Sequence, residues 1–371
     1  MRFQAEHQAL EDAVGWAARV LPTRPVLPAL AGLLIDAAEG NVTLTGFDYE
    51  VSARARVEAT VSEPGRTLVP GRLLAEIVRS LPDRPVEVAV EGAETVVRCG
   101  GAEFGLQTMP AEDHPRIPEP PAAAGTVPGE AFGAAVGRAV VAAGRDDTLP
   151  MLTGVRLDIA GETITLACTD RYRLTCCELA WSPARPDFSA AALVPARTLA
   201  EAAGVLRTAA EVELSLSDTL LGLSGAGRTL TTRLLDDRFV DYRSRLTGRW
   251  TTRAEIPTAP LLEAVERVAL VADRNVPVRL TLSGDHVRVH AATGDAARAS
   301  ETLPAELHGE EIDLGFNPRF LLDGLSGIAA AATRLHCTGP AKAVLFTPAD
   351  EDASNARQAY RYLLMPIRLA A

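Results

Sequence analysis

Residues able to do chemistry are few and scattered in this chain. His286 and His290 stand in HVRVH at a spacing that, on a strand, puts both on one face and supplies half of a metal site. No set of further ligands is legible beside them, so ordinary strand residues are the simpler reading. The remaining histidines, His7, His114, His308 and His336, fall in no H-E-x-x-H pattern and beside no G-x-S-x-G elbow. The glycine-rich SGAGRT lacks the lysine of a phosphate loop and lies between strand patterns, which reads as a hairpin turn. Cys99, Cys168, Cys176, Cys177 and Cys337 are odd in number and never spaced C-x-x-C, which argues against a disulfide framework or a zinc knuckle. The pair Cys176 and Cys177 in LTCCEL predicts a strand with one cysteine on each face. No catalytic machinery is visible, which leaves a protein that acts by shape.

The other chemistry on offer is positive charge. The formal net charge of −11 argues against nucleic acid as a partner. Lys342 is the one lysine, however, and the remaining basic residues are arginines, whose planar fork suits phosphate. Arginines lie in or beside each of six expected helices: Arg19 and Arg24, Arg72 and Arg79, Arg138 and Arg145, Arg197 and Arg207, Arg267 and Arg274, and Arg319. Equivalent helix faces turned to one place would make a local positive surface in an acidic molecule.

The elements that must position these residues recur three times. A helix opens at a proline in LVPGRLLAEIVRSL (Pro70), LVPARTLAEAAGVL (Pro195) and GFNPRFLLDGLSGI (Pro318). An acidic residue closes a strand in TGFD (Asp48), ACTD (Asp170) and ATGD (Asp295). Both markers return roughly every 120 residues, far longer than a solenoid repeat, so the unit copied is a whole small domain. Each copy reads helix, strands, helix, strands, with two helices and about eight strands. The expected domains are 1–121, 122–250 and 251–371, with linkers at 115–128 and 246–257. The hydrophobic share of 47% and charged share of 23% are those of a globular chain. The start, MRFQAEHQAL, has no signal-like pattern, and no run approaches the roughly 18 apolar residues of a membrane helix, so a cytoplasmic protein is expected.

RPVLPALAGLLID with TLTGFDYE, MLTGVRLD with CTDRYRL, GFNPRFLLDGL, and YLLMPIRL together resemble the bacterial DNA polymerase III beta subunit, or sliding clamp, family over essentially the whole chain. The resemblance implies an α+β fold of three repeated DNA-clamp domains, each with two helices and two antiparallel sheets, forming half of a ring. It implies a non-catalytic, head-to-tail homodimer around duplex DNA, with no cofactor. The implied partners are double-stranded DNA and, through short linear peptides, the replicative polymerase, the clamp loader and other clients.

Implied DNA contacts are Arg24, Arg72, Asp146, Pro150 and Met151. The implied client-peptide pocket comprises Leu152, Thr169, Arg171, Tyr172, Arg173 and Leu174, then Val240, Ser244 and Arg245. It continues with Asn317, Phe320, Ala341, Ala343, Leu363, Leu364, Met365, Pro366, Ile367, Arg368 and Leu369. Leu174, Leu364 and Met365 are expected to wall its deep apolar subsite. The implied subunit interface sets Phe104 and Leu106 against Leu270 and Val271. Val240 replaces the family's usual proline and Arg245 its usual apolar residue. Two alternatives stand beside a replicative clamp: a specialised or inhibitor-resistant paralogue with an altered pocket, and a clamp-fold interaction scaffold.

Overall fold

A computed structural model describes residues 1–146, 148–272, 276–294, 296–349 and 360–368; Arg274, Asp295 and Leu369 lie outside the described residues. The helices form where apolar spacing demands them. His7–Ala18 buries Leu10, Ala13, Val14 and Ala17 along one stripe. With Gly71–Ser80, Gly129–Val140, Ala196–Leu206, Thr258–Ala269 and Pro318–Leu325, each repeat has two helices; one-turn helices Pro150–Thr153 and Arg243–Leu246 are additional. The proline marker is not quite one position. Pro70 and Pro195 end a strand just before the helix, whereas Pro318 is the first helical residue, where a missing N–H costs nothing. Asn317 stands before it as the cap, its side-chain oxygen accepting from the backbone N–H groups of Arg319 at 3.0 Å and Phe320 at 3.3 Å.

The acidic marker is a turn device. Asp48 follows strand Asn41–Phe47, and its Oδ1 accepts from the N–H groups of Glu50 at 2.9 Å and Val51 at 2.6 Å. Asp170 repeats this after Thr163–Thr169, accepting from Tyr172 and Arg173, both at 3.0 Å. In each turn the next residue is left-handed, Tyr49 at φ 78° and Arg171 at φ 80°. A side chain there costs about 1–2 kcal/mol relative to glycine, so both turns hold a residue that local energetics disfavour.

Contacts gather the chain into two compact units. The first holds Met1–Glu130 and Gly204–Leu234, the second Ala131–Ala203 and Leu235–Ala371. In the first unit an antiparallel sheet runs through Ala123–Pro128, Glu211–Leu216, Leu220–Gly225, Arg228–Arg233, Val51–Glu63, Arg2–Ala5, Val86–Glu91, Glu94–Cys99 and Ala102–Gln107. In the second, one sheet runs through Ser189–Pro195, Gly154–Ala160, Thr163–Thr169, Arg173–Ala180, Tyr360–Leu364, Val344–Pro348, Ala332–Cys337, Thr252–Pro257 and Glu306–His308. A second sheet there orders Ala297–Pro304, His286–Thr293, Val278–Ser283 and Ile312–Phe316.

One rule joins successive repeats. The strand after the aspartate turn pairs with the last strand of the next copy: Val51–Glu63 with Arg228–Arg233, and Arg173–Ala180 with Tyr360–Leu364. The compact units therefore cut across the sequence period. The rule leaves two unfilled positions: Ala297–Pro304, after the third aspartate marker, and Ala102–Gln107, the last strand of the first copy, each have a single sheet neighbour among the described residues.

Other expectations meet details of geometry. The tracts expected as linkers end in strands Ala123–Pro128 and Thr252–Pro257, because Val127 and Ile256 become core residues once sheet pairing is available. The SGAGRT turn closes Leu220–Gly225 onto Arg228–Arg233 through Ala226 at φ 49° and Gly227 at φ 73°, as a two-residue hairpin loop requires. His286 meets Asp285 at 3.1 Å and His290 meets the Thr281 hydroxyl at 3.1 Å. Among the described residues no group of three or more His, Cys, Asp or Glu is placed to hold a metal, and no helix is long and apolar enough to cross a membrane.

Candidate functional site

A cleft of about 660 Å³ opens in the second unit where the second and third repeats share their sheet. Strand alternation decides which side chains reach it. Along Tyr360–Leu364, Tyr360, Tyr362 and Leu364 are all buried in the core at 0–1% exposure, and Leu363 turns the other way into the cleft. Leu364 is thus a core residue, contrary to expectation, and Leu363 takes its place beside Leu174 and Met365. Leu149, Met151, Leu152, Val240 and Trp250 complete the apolar lining. The floor is stiff, since Leu174 belongs to a buried cluster with Ala167, Cys176, Leu193, Phe239, Tyr242, Leu246 and Leu345.

The wall carrying Val240, Ser244 and Arg245 is tied down by one carboxylate. Asp158 accepts from the Tyr242 hydroxyl at 2.7 Å and Arg243 at 3.3 Å, while its other oxygen accepts from Arg156 at 2.7 Å. Burial, followed by the carboxylate of Asp158, raises the Tyr242 hydroxyl well above the usual phenol range, so it stays a donor. On the opposite side Arg173, 7% exposed, binds Asp170 at 3.0 Å and Asp323 at 2.6 Å and stacks its guanidinium 4.1 Å over the Phe320 ring. This side chain joins the turn of the second repeat to helix Pro318–Leu325 of the third.

Of the expected pocket residues, Leu152, Thr169, Arg171, Tyr172, Arg173, Leu174, Val240, Ser244, Arg245, Ala343, Leu363 and Met365 line this cleft. Asn317 does not, because its side chain caps a helix, and Phe320 lies in an adjoining recess with Asp146 and Arg319. Ala341 and Arg368 are exposed outside it, Pro366 is buried, and the Ile367 N–H donates to the Gly315 carbonyl at 2.7 Å. Met151, expected among DNA contacts, lines the cleft instead. Leu149, Gly248, Trp250, Thr338 and Lys342 join the lining without a sequence signal to announce them; their loops carry no periodic pattern, and only the aromatic Trp250 close to a glycine stands out.

Models of the DNA polymerase III beta subunit match the chain domain by domain: the N-terminal domain over residues 1–118, the central domain over 126–241 and the C-terminal domain over 249–368. The chain belongs to the DNA polymerase III beta subunit family. It is 48% identical to the beta sliding clamp of Streptomyces coelicolor over 100% of both chains, and 41% identical to the beta sliding clamp homolog GriR of Streptomyces muensis over 99% of both. Its fold matches the sliding clamp of Pseudomonas aeruginosa solved with griselimycin, with a TM-score of 0.90, 28% identity and 100% of both chains covered. The function is that of a sliding clamp, the non-catalytic processivity factor of DNA polymerase III.

The remaining candidate residues of this beta subunit lie apart from the cleft. Arg24 is exposed in the segment after helix His7–Ala18, and Arg72 opens helix Gly71–Ser80, donating to the Leu21 carbonyl at 2.6 Å. Pro150 begins a one-turn helix. Hydrogen bonds from the Thr148 side chain and backbone hold the Asp146 carboxyl below its ordinary range, so this residue is an anion and adds no attraction for phosphate. Among the helix arginines, Arg267 is occupied by Glu301 at 2.7 Å and Glu263 at 3.5 Å. Leu270 is 85% exposed, whereas Leu106 is 1% exposed and therefore a core residue rather than an interface one; Phe104 is half-buried.

His336 makes the stability of the clamp depend on pH. Burial, then the charges of Arg253 and Arg334, push its imidazole down to about 4 from 6.5, so it is neutral when folded. Between pH 6.5 and 4 the unfolded chain binds the extra proton, and stability falls as pH falls through that window; above 6.5 the contribution is complete. Each tenfold difference in proton affinity between the folded and unfolded chain is worth about 1.4 kcal/mol, and water reaching the half-buried ring reduces the total. Denaturant unfolding should therefore show about 1–2 kcal/mol lost across the window, and His336→Gln should flatten that slope. An unchanged slope in the variant would remove His336 as its source.

Proposed function

We propose that the chain works as a replicative clamp: a head-to-tail homodimer closed around duplex DNA that tethers the polymerase, the clamp loader and other clients by their short peptides. The pairing rule between repeats carries this reading. Among the described residues strand Ala297–Pro304 lacks the partner that the corresponding strands of the first two copies have, and Ala102–Gln107 of a second chain is the strand that rule would supply. Such contacts are heterologous, and two of them close a ring. Leu270, Val271 and Phe104 would be covered there, while Arg24 and Arg72 would face phosphate. Retention then comes from topology, with moderate charge permitting sliding.

In the same reading the cleft receives client peptides. Two apolar anchors buried on Leu174, Leu363 and Met365 contribute roughly 3–6 kcal/mol, at about 1.5–3 kcal/mol each, and the polar rim orients the chain. The test uses nicked circular DNA and a clamp loader. A mass near twice 39.2 kDa, loading onto the circle and release on linearisation are the expected results; a stable monomer that leaves circular DNA as fast as linear DNA would reject the reading.

A specialised paralogue with an altered pocket is favoured by one observation, the cations Arg171 and Arg245 at the mouth of an apolar cleft. Peptide affinities, and competition by the griselimycin seen on the Pseudomonas aeruginosa clamp, compared with another clamp of the same cell, separate the two: matched values favour the replicative clamp.

A further inference from the structure

The junction between the first and second copies shows how the two strands with a single sheet neighbour, Ala297–Pro304 and Ala102–Gln107, would meet. Gly46 and Thr293 each stand two residues before their aspartate marker. Gly46 pairs with Ala53 and Thr293 with Ala297, so Arg298 takes the place of Arg54. The last strands align at their two-residue turns, where Gly225 pairs with Arg228 and Cys99 with Ala102, so Glu103 takes the place of Thr229. Arg54 and Thr229 are paired across the first junction. The same register in a subunit contact sets Arg298 opposite Glu103 of the partner subunit. The second junction offers no such turn, since residues 350–359, ahead of Tyr360–Leu364, lie outside the described ones.

The two side chains also share a face. Leu106 is buried in the core, which leaves Glu103, three residues away, on the outer face of its sheet. Exposure alternates along Ala297–Pro304, and Glu301 reaches Arg267 of helix Thr258–Ala269 at 2.7 Å, which leaves Arg298 on the outer face as well. Within one chain that face already carries a row of alternating charge. Glu87, Arg98 and Glu103 are successive cross-strand neighbours, with Arg98 2.6 Å from Glu103 and 3.7 Å from Glu87. The row stops at the sheet edge on a carboxylate that is 64% exposed. Arg298 is exposed and forms no ion pair with a described residue.

The geometry points to an ion pair between Arg298 and Glu103 of the partner subunit, which fixes the register of the subunit contact and makes this chain prefer its own copy. This rests on the head-to-tail reading above. A second copy is the occupant because it alone brings a carboxylate to Arg298 and a cation to the end of the Glu87, Arg98, Glu103 row in one and the same contact. The pair occurs twice in a closed ring, once at each contact. Each exposed cross-strand pair of opposite charge contributes about 1.5- to 5-fold in affinity, so two together give on the order of tenfold. Like charges at the same position act in the other sense.

The experiment measures dimer dissociation by sedimentation of the full chain over a dilution series. At low salt Arg298→Glu and Glu103→Arg should each weaken the dimer by at least about tenfold, and the loss should shrink to about twofold or less near 0.5 M salt, where exposed charges are screened. An equimolar mixture of the two variants should recover dimers within about twofold of the unmodified chain, because a mixed ring sets opposite charges together at both contacts. The double variant Arg298→Glu/Glu103→Arg should dimerise with itself as the unmodified chain does and form few mixed dimers with that chain, with thermal melts confirming folded protein throughout. Dimers as tight in both single variants as in the unmodified chain, or no recovery in their mixture, would overturn the inference and leave the ring reading standing. A stable monomer of the unmodified chain would overturn both. Free mixing of the double variant with the unmodified chain would overturn the preference for its own copy.

Discussion

Arg173→Ala is expected to cost about 3 kcal/mol of stability and at least tenfold in client-peptide affinity. Removing one partner of a buried ion pair typically costs ~3–5 kcal/mol because the other charge is left without compensation; the lower end applies here because Asp323 is 30% exposed and can recover water. The affinity loss has a different origin. Arg173 holds the Asp170 turn, helix Pro318–Leu325 and the Phe320 ring at fixed separation, and Arg171 and Tyr172 ride on that turn. The double variant Arg173→Ala/Asp323→Asn should regain about 1 kcal/mol by removing one of the two stranded charges, Asp170 being left with its backbone N–H partners. Urea midpoints and peptide titration check both parts. A loss below about 1 kcal/mol would mean that the carboxylates find water or another cation at little cost.

Leu270→Asp is expected to act in the opposite way, leaving the folded chain intact and removing the assembly. The side chain is 85% exposed, so the substitution should change unfolding stability of the single chain by no more than about 0.5 kcal/mol. Within a subunit contact it would bury an unpaired carboxylate. Light scattering should report 39.2 kDa in place of twice that value, and the variant should no longer be held on circular DNA. If it remains a dimer, the interface lies away from the end of helix Thr258–Ala269.

The repeat and its two helices are legible in the sequence because proline and aspartate do their work locally. A proline before a helix and an Asp capping a turn have the same consequence wherever the chain places them, so their spacing survives as pattern. The cleft residues come from the family resemblance, and Thr169 and Arg171 to Leu174, beside the second aspartate marker, are among those that line it. Sequence misleads where the decision is a register: Leu363 and Leu364 are chemically identical, and only the pairing of Leu363 with Leu174 across the sheet says which one faces out. Leu106 is ambiguous for a similar reason, since an apolar residue on an edge strand reads alike whether it faces a partner or the core. Lys342 and Trp250 escape notice because loops bring them to the cleft, and loop paths follow from tertiary packing rather than from periodicity.

The five cysteines, all buried, and the single lysine at the rim of the cleft make this chain unusually quiet toward labelling reagents. Burial raises the Cys176 thiol to about 11 and those of Cys168 and Cys337 to about 12, so thiolate is scarce at neutral pH. A maleimide would therefore find an engineered surface cysteine before any native one. An amine-reactive ester would find one ε-amino group, and its modification rate would fall when a client occupies the cleft, which turns Lys342 into a built-in footprint for occupancy on unmodified protein.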